Sequence, residues 1–311
     1  MYSPAFIRRL TALSLLGSLA LGVPSGRAAD AAAAALVPAP VPAAVAISRP
    51  TPAEVAVVTD NLQRFLAQAD LATKAILAKY PDMLAVRPPR ANPGLLPILN
   101  PDFRAKHEAN LARAKQGDVD LLFMGDSITD LWRNAGPAGV VNPPFSGKAV
   151  FDKYYGAMKT ANFGIGGDTT QGVLYRLRHG EGEGFQPKAI MLLIGTNNVI
   201  FGSPSAEIAE AVGAVVLELR RHFPAAKILL LGIFPRANPG DDIRKTVLDA
   251  NAIIAKLHDG KNVFYLDIGA KLLDADGQIP PDIMSDKLHP TEKGYEIWAA
   301  AVKEPLAELM K

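Results

Sequence analysis

The sequence predicts an α/β fold, specifically a three-layer α/β/α sandwich around a mainly parallel five-stranded sheet. From Asp102 onward, helix-like and strand-like segments alternate along the chain, which is typical of such sheets. The strand-like segments are short apolar runs, as expected for strands that are covered on both faces. Three of these runs end in glycine and polar residues, at the edge where open parallel sheets place their chemistry.

Each predicted element follows from its local pattern. The first strand lacks polar alternation after Asp120, and the helix before it stops at Gly117. Five strands with intervening helices make a domain of about 200 residues, which is a normal single-domain size. The predicted strands span 119–124, 160–163, 189–194, 227–231 and 263–266, and the predicted helices span 103–116, 146–158, 168–178, 205–222, 242–258 and 291–309.

The first 28 residues are typical of a secretory signal peptide. Arg8 and Arg9 precede an apolar run at 10–23, and small residues follow at 26–29. The run is short for a membrane span and contains polar residues, although an uncleaved membrane anchor stays open as an alternative. We therefore expect a secreted or periplasmic protein that has no stable membrane insertion after cleavage of the signal.

Charge and cysteine content narrow the function classes. The chain has 33 basic and 31 acidic residues, and cleavage after Ala28 leaves 30 basic against 31 acidic residues. No block of lysine and arginine occurs later in the sequence, so nucleic acid is not an expected partner. The chain contains no cysteine, which excludes disulfides, thiolate metal sites and a cysteine nucleophile, and suits export from a bacterial cell.

The segment before the α/β domain is predicted in three parts. Residues 29–50 are rich in alanine and proline and are interpreted as a semi-rigid linker. Thr51 and Glu54 have capping-box spacing, and apolar residues recur at helical intervals after them, so we expect a helix over 52–79 and an extended proline-rich stretch to 101. Docking of this helix on the main domain is the preferred interpretation; pairing with a second copy, in a homodimer, is the alternative.

The first candidate for chemistry is the Gly-Asp-Ser corner at 125–127. Ser127 follows the first strand, so we expect it at the carboxyl edge of the sheet, with its amide at the N-terminus of the next helix. The alternative is purely structural, with Asp126 or Ser127 acting only as a helix N-cap.

A glycine-rich stretch at 162–170 follows the second strand. It does not match the dinucleotide-binding pattern G-x-G-x-x-G, because Thr169 stands where the last glycine would be. Gly166 and Gly167 favour a tight turn that exposes a backbone N–H near the serine. A plain strand-to-helix turn is the alternative.

Two further stretches carry polar side chains near the same edge. Asn197 follows the third strand and is a candidate donor to an oxyanion, whereas Asn198 is a candidate for satisfying loop backbone. Asp286 and His289 lie three residues apart before the last helix. At this spacing the carboxylate can hold the imidazole Nδ1–H while Nε2 faces the serine, although such a pair alone is more often a loop hydrogen bond.

In order and spacing, these four stretches resemble the consensus blocks of the SGNH (GDSL-type) hydrolases. The blocks match at 125–127, 166–168, 195–198 and 286–290. The stretch 162–170 is most similar to the second block of the catalytic subunits of intracellular platelet-activating factor acetylhydrolase and their bacterial relatives. The resemblance covers about 102–309 and does not extend to residues 1–101.

The resemblance implies a serine esterase that forms an acyl-enzyme. It implies Ser127 as the nucleophile, His289 as the base and Asp286 as the residue that orients the base. The Ser127 and Gly167 amides and the Asn197 side chain then form the oxyanion hole. No cofactor is expected, and no metal either, because the five histidines lack a paired-ligand spacing.

The expected substrate is a short-chain ester, with acetyl preferred, of a carbohydrate or a small lipid-like alcohol. The acyl preference rests on Ile128 and Leu288, which flank the nucleophile and the base and are expected to shorten the substrate pocket. The alternatives are a longer-chain lipase or lysophospholipase, and a non-catalytic carbohydrate-binding protein on the same fold.

Overall fold

The central sheet has five parallel strands, as the sequence predicts. A computed structural model describes residues 37–80, 86 and 90–311, so the predicted signal peptide and the first part of the linker lie outside the described residues. The strands are β1 Leu121–Gly125, β2 Thr160–Gly164, β3 Ala189–Leu193, β4 Lys227–Leu231 and β5 Val263–Leu266. They are ordered β2-β1-β3-β4-β5, and all neighbouring pairs are parallel.

The helices of the α/β domain lie close to their predicted positions. The predicted helix 242–258 ends earlier than expected, at Ile254, and continues as a 3₁₀ turn. Two one-turn helices start within two or three residues of the ends of β1 and β3. The helices are α1 Pro52–Gln68, α2 Leu71–Lys79, α3 Arg104–Lys115, α4 Ser127–Asp130, α5 Lys148–Tyr155, α6 Thr170–Arg176, α7 Thr196–Ile200, α8 Ser205–His222, α9 Asp242–Ile254 and α10 Glu292–Leu309.

The sheet separates two apolar cores, one on each face. In β1, Leu122 and Met124 belong to one core and Leu121 and Phe123 to the other, because successive side chains of a strand point to opposite faces. Helices α6, α8 and α9 contribute to the first core, and α5 and α10 contribute to the second. The result is the predicted α/β/α sandwich.

The strand order determines where a site can form. β2 and β3 lie on opposite sides of β1, so the winding of the chain reverses between β1 and β3. In open α/β sheets, the crevice outside the carboxyl ends of the strands at such a reversal is the usual binding position. Gly125 at the end of β1 is in register with Gly164 of β2 and Leu193 of β3, so the following loops leave the sheet at one edge.

The described part of the predicted linker packs on the domain, so the linker interpretation is wrong for residues 37–50. Ala39 and Val45 are each 4% exposed and belong to the apolar core. The Val45 side chain lies over Gly213 of α8, at the position where a Cβ would otherwise stand. A short segment of small, uncharged residues cannot form a core by itself, but it can pack closely on a helix at a glycine, where no side chain intervenes.

The segment that returns to the domain is also packed, so the predicted boundary at 102 lies too late in the sequence. Asn92 is buried, and its Nδ2 donates to Glu210 Oε2 of α8 at 2.9 Å and to the carbonyl of Glu207 at 2.8 Å. Arg49 donates to both carboxylate oxygens of Glu210, at 2.6 and 2.7 Å. The chain is therefore bound to the first turns of α8 both before α1, at Arg49, and after α2, at Asn92.

The predicted helix 52–79 is two helices, with a break at Ala69 and Asp70. The expected capping box at its start is present, since Thr51 and Glu54 bind each other's backbone amides. Asp70 accepts from the amide of Thr73 and starts the second helix. No residue of α1 or α2 is buried, so the expected docking of this helix on the domain is wrong, and pairing in a homodimer stays a prediction.

Candidate active site

Ser127 follows a sharp corner in the chain that begins at Gly125, a position where only glycine fits. A Cβ on Gly125 would lie 2.2 Å from the carbonyl oxygen of Leu193, so the close contact between β1 and β3 requires glycine there. Asp126 is the N-cap of α4, and its Oδ1 accepts from the amide of Ile128 at 3.0 Å. Ser127 follows as the first helical residue and is half-buried. The structural and the functional interpretations of this corner are therefore compatible, because capping falls to Asp126 and leaves Ser127 free.

The structure brings Ser127, His289 and Asp286 into one hydrogen-bonded chain. His289 Nε2 lies 2.9 Å from Ser127 Oγ, and His289 Nδ1 lies 2.7 Å from Asp286 Oδ2. Asp286 Oδ1 accepts from the amides of Leu288 and His289 at 3.0 and 2.8 Å, which fixes the turn that carries the imidazole. Lys287 supports this turn with a left-handed φ of 57°.

Asp286 and Asp126, on either side of the catalytic contacts, have opposite electrostatic environments. Partial burial opposes ionisation of Asp286, but the hydrogen bonds from the His289 ring and amide outweigh it and lower its pKa. Burial raises the pKa of Asp126 to about 7, with the Ile128 amide only partly offsetting it. Asp126 Oδ2 is buried and has no hydrogen-bond partner among the described residues. Asp286 is therefore the ionised partner of the imidazole.

The turn after β2 presents one backbone amide toward the same edge. Gly166 lies next to Ser127, since a Cβ on Gly166 would stand 4.0 Å from the serine Cβ. The Gly166 amide is already used, donating to Asp130 Oδ2 at 3.1 Å. Gly167 has a left-handed φ of 83°, and within the described part of the chain its amide makes no hydrogen bond. That N–H remains available to a ligand.

The two asparagines after β3 have different environments. Asn197 is half-buried, and its Nδ2 donates to the carbonyl of Asp168 at 2.7 Å, which fixes the side chain beside the glycine turn. Asn198 is buried and is bound to Thr170 and Gln171 through three hydrogen bonds. One N–H of Asn197 is left for a ligand, whereas Asn198 serves the packing of α6 against α7.

The predicted pocket residues differ in accessibility. Leu288 is half-buried beside the imidazole. Ile128 is 1% exposed and packs in the second core, so the prediction that its side chain lines a substrate pocket is wrong. As the second residue of α4, Ile128 points back toward the sheet, and its carbonyl accepts from the Tyr295 hydroxyl at 2.7 Å.

Two residues at the site were not predicted from the sequence. The Phe145 ring meets the His289 ring edge-on, at 5.4 Å between centroids and 84° between planes. Arg236, in the loop after β4, donates to the carbonyl and hydroxyl of Thr196, each at 2.9 Å. A signal for Arg236 was present, because a charged residue closely follows a buried strand on the functional edge. Phe145 lies in a long loop and left no such signal.

The described residues contain neither a metal-ligand cluster nor a membrane-spanning helix. In the ranges 37–80, 86 and 90–311 no group of three or more histidine, aspartate or glutamate side chains is arranged to hold a metal ion. Within these ranges, no helix has the length and apolar character needed to cross a bilayer.

Comparison with known proteins identifies the family. The family model of the GDSL-like lipases and acylhydrolases matches residues 123–297, which contain most of the sheet edge described above. The chain belongs to the GDSL-like lipase/acylhydrolase family. It is a carboxylic ester hydrolase, as the resemblance implied.

Relatives of this GDSL hydrolase cover most of its length. The platelet-activating factor acetylhydrolase IB subunit alpha2 of Rattus norvegicus is 31% identical over 227 residues, which make up 71% of this chain and 91% of the rat protein. The IB subunit alpha1 of Bos taurus is 28% identical and covers 66% of this chain and 82% of its own. Among solved structures, a GDSL-like lipase from Bacteroides thetaiotaomicron has a TM-score of 0.51 at 18% identity, covering 67% of this chain and 98% of its own.

Proposed function

We propose that this GDSL hydrolase is a secreted serine esterase that cleaves short-chain carboxyl esters, with acetyl preferred, through an acyl-enzyme. The observation that carries the proposal is the chain of contacts from Ser127 Oγ to His289 Nε2 at 2.9 Å and from His289 Nδ1 to Asp286 at 2.7 Å. Contacts of this length match a nucleophile, a general base and the group that orients the base.

In the proposed reaction, His289 takes the proton of Ser127 as the hydroxyl oxygen attacks the ester carbonyl. The resulting imidazolium is stabilised by the ionised Asp286, whose pKa is lowered mainly by the imidazole hydrogen bond acting against partial burial. His289 then protonates the leaving alcohol oxygen. A water molecule, deprotonated by the same imidazole, cleaves the acyl-serine and restores the free enzyme.

The negative charge on the carbonyl oxygen needs donors that are already oriented. The amide of Ser127 at the start of α4, the Gly167 amide and the remaining N–H of Asn197 supply three such donors. Because Asn197 is anchored on the Asp168 carbonyl at 2.7 Å, its amide does not have to reorganise as the charge develops. These groups form the proposed oxyanion hole.

The acyl and alcohol halves of the substrate are supported by different observations. The acetyl preference is supported by the rat and bovine relatives, which are named acetylhydrolases. Leu288 supports it at the imidazole side, while the buried Ile128 no longer does. A carbohydrate or a small lipid-like alcohol is proposed for the other half, because an exported enzyme meets such esters outside the cell.

A longer-chain lipase is the second candidate, and one observation favours it. Ile200 ends α7 and Phe201 follows it, its amide donating to the Asn197 carbonyl at 3.1 Å, so both lie on the same side of this helical turn as Asn197. Ile200 and Phe201 are exposed, which gives this face an apolar surface next to the proposed oxyanion donor. Such a surface suits a longer apolar substrate chain.

Export is proposed from Arg8, Arg9 and the apolar run that follows them. Expression of the whole gene in a bacterial host, followed by intact mass and N-terminal sequencing of the periplasmic fraction, tests it. We expect a mature chain that begins at Ala29. Full-length protein retained in the membrane fraction would support the anchor instead.

The activity is tested with a pair of chromogenic esters, 4-nitrophenyl acetate and 4-nitrophenyl octanoate. We expect kcat/KM to be higher on acetate, and Ser127→Ala to reduce turnover of both by up to about 10⁶-fold. Ser203→Ala is a matched control, because Ser203 is half-buried like Ser127 but lies in the loop after α7, and it should retain full activity. A Ser127→Ala protein that keeps more than a few per cent of the activity refutes the proposed nucleophile, and a preference for octanoate selects the lipase.

A further inference from the structure

Arg236 reaches from the loop after β4 to the turn that carries Asn197. The residue is only 9% exposed, and its Nη1 donates to both the carbonyl oxygen and the hydroxyl of Thr196 at 2.9 Å. Thr196 is the first residue of α7 and directly precedes Asn197. The guanidinium therefore fixes the first residue of the one-turn helix whose second residue is the proposed oxyanion donor.

The backbone of Arg236 is itself held by a second arginine. Arg244 of α9, also buried, donates from Nε to the Arg236 carbonyl at 2.7 Å and from Nη2 to the Ala237 carbonyl at 2.6 Å. Ala237 has a left-handed φ of 60°, a conformation that a residue with a side chain keeps only where its surroundings hold it. Arg236 thus projects from a turn that the fold supports from behind.

The same turn contacts the loop that carries the base. The Ala237 amide donates to the Lys287 carbonyl at 3.4 Å, and the Lys287 ammonium donates to Asn238 Oδ1. Lys287 lies between Asp286 and His289. Residues 236–238 therefore connect the base-carrying loop with the oxyanion turn, two parts of the site that come from distant stretches of sequence.

We propose that Arg236 is a positioning residue that holds Asn197 in the geometry needed to stabilise the oxyanion. The inference rests on the proposed function, since it concerns the same ester hydrolysis. One N–H of Asn197 is committed to the Asp168 carbonyl, so the direction of the other depends on where the α7 backbone lies. Displacement of a catalytic group by about 1 Å is enough to cost about 10²-fold in rate.

A double-mutant cycle with Asn197 separates positioning from general structural support. Arg236→Met should lower kcat by about 10²-fold on 4-nitrophenyl acetate and change KM by less than about threefold. In an Asn197→Ala background, the same substitution should lower kcat by less than about threefold, because the donor that it positions is already absent. Each variant is first shown to be folded by circular dichroism and a cooperative thermal transition.

Two further variants keep the test decisive. Should Arg236→Met fail to fold, Arg236→Lys retains the charge but lacks the planar fork, and should cost about tenfold in kcat with Asn197 present and almost nothing without it. Arg220→Lys is the matched control, because Arg220, in the last turn of α8, also donates to backbone carbonyls. These are the carbonyls of Ala226 and Pro224, each at 2.6 Å, in the loop that enters β4 at the opposite end of the sheet. Its kcat should equal that of the wild type.

Each outcome supports or overturns the proposal. Equal losses of kcat in the two Asn197 backgrounds, a loss confined to KM, or no loss in a folded Arg236 variant would overturn it. An equal loss of kcat in Arg220→Lys would overturn it too. Ser127→Ala in the same assay distinguishes this from failure of the proposed function: if it abolishes turnover while the Arg236 effects remain additive, only the positioning role is wrong.

Discussion

Neighbouring asparagines of α7 are expected to respond in opposite ways to the same truncation. Asn197 is half-buried, and among the described residues its side chain makes one hydrogen bond, to the Asp168 carbonyl at 2.7 Å. Asn198 is buried. Its Oδ1 accepts from the Thr170 amide at 3.2 Å, and its Nδ2 donates to Thr170 Oγ1 and Gln171 Oε1 at 3.0 Å each. The first side chain faces the site and the second holds two helices together.

For Asn198→Ala, the cost should appear in stability. The substitution removes three hydrogen bonds and leaves the buried Thr170 amide without its acceptor. An unpaired buried donor costs about 1–3 kcal/mol, so we expect the free energy of unfolding to fall by about 2–4 kcal/mol. For a domain of this size, that corresponds to a decrease in Tm of about 4–16 °C. The value of kcat should stay within about fivefold of the wild type.

For Asn197→Ala, the cost should appear in kcat. Removal of one oxyanion donor lowers kcat by roughly 10²–10³, which is about 2.7–4 kcal/mol of transition-state stabilisation, with a smaller change in KM. The single hydrogen bond to the Asp168 carbonyl contributes about 1 kcal/mol, so the free energy of unfolding should change little.

Steady-state kinetics on 4-nitrophenyl acetate and urea unfolding of the same preparations measure both quantities. The two variants are controls for each other, since they remove the same atoms from adjacent positions. If Asn198→Ala loses kcat and Asn197→Ala loses stability, the oxyanion donor has been placed on the wrong asparagine. Equal kcat losses in both would mean that the donor acts only through the α7 backbone.

Three other predictions concern pH, metal dependence and the N-terminal packing. Burial raises the pKa of Asp126 from 3.8 to about 7. Between these two pH values the folded state holds a proton that the unfolded state has released, so the free energy of unfolding falls as pH rises. In urea unfolding from pH 4 to 8, the free energy of unfolding of the wild type should therefore decrease by up to about 4 kcal/mol more than that of Asp126→Asn. Parallel pH profiles of the two proteins would contradict this. The kcat/KM profile should fall at acid pH, where a protonated His289 has no free lone pair, and EDTA should not change it; loss of activity to EDTA that zinc restores would point to metal-bound water. Glu210→Ala leaves Arg49 without its carboxylate and should expose residues 37–50 to limited proteolysis without changing kcat; unchanged proteolysis would refute this role of Glu210.

The sheet and its functional edge were predictable because both depend on local sequence. Buried parallel strands are continuous apolar runs, and the strands β4 and β5 occupy the predicted ranges 227–231 and 263–266. Parallel strands all end at one edge, so residues that follow β1, β2 and β3 were expected together. The contacts among Ser127, Asp286 and His289 follow from that topology and from a spacing of three residues in one turn.

The N-terminal region was not predictable on the same grounds. The composition of residues 37–50 shows that they cannot form a core by themselves. It does not show that they pack on α8, where Arg49 binds Glu210 and Val45 lies over Gly213. Apolar periodicity runs through Ala69 and therefore predicts one continuous helix over 52–79, although Asp70 is a strong N-cap residue and starts a new helix. Periodicity detects a helix face, whereas the break depends on one competing side-chain hydrogen bond.

Sequence adjacency to the nucleophile was a poor guide to the substrate pocket, and the reason lies in helix geometry. Successive residues of a helix are about 100° apart, so the neighbour of the half-buried Ser127 points elsewhere, and Ile128 faces the core. Residues three or four positions apart lie on one side of a helical turn, so the exposed Ile200 and Phe201 are the neighbours of Asn197 that we propose for contact with a substrate chain. Arg236 also lies at the site without being a sequence neighbour of any predicted site residue, because it binds Thr196 through a tertiary contact. Selectivity for the acyl chain should therefore respond to substitutions of Phe201 and Leu288, which are accessible, and be insensitive to conservative changes at Ile128 that preserve core volume.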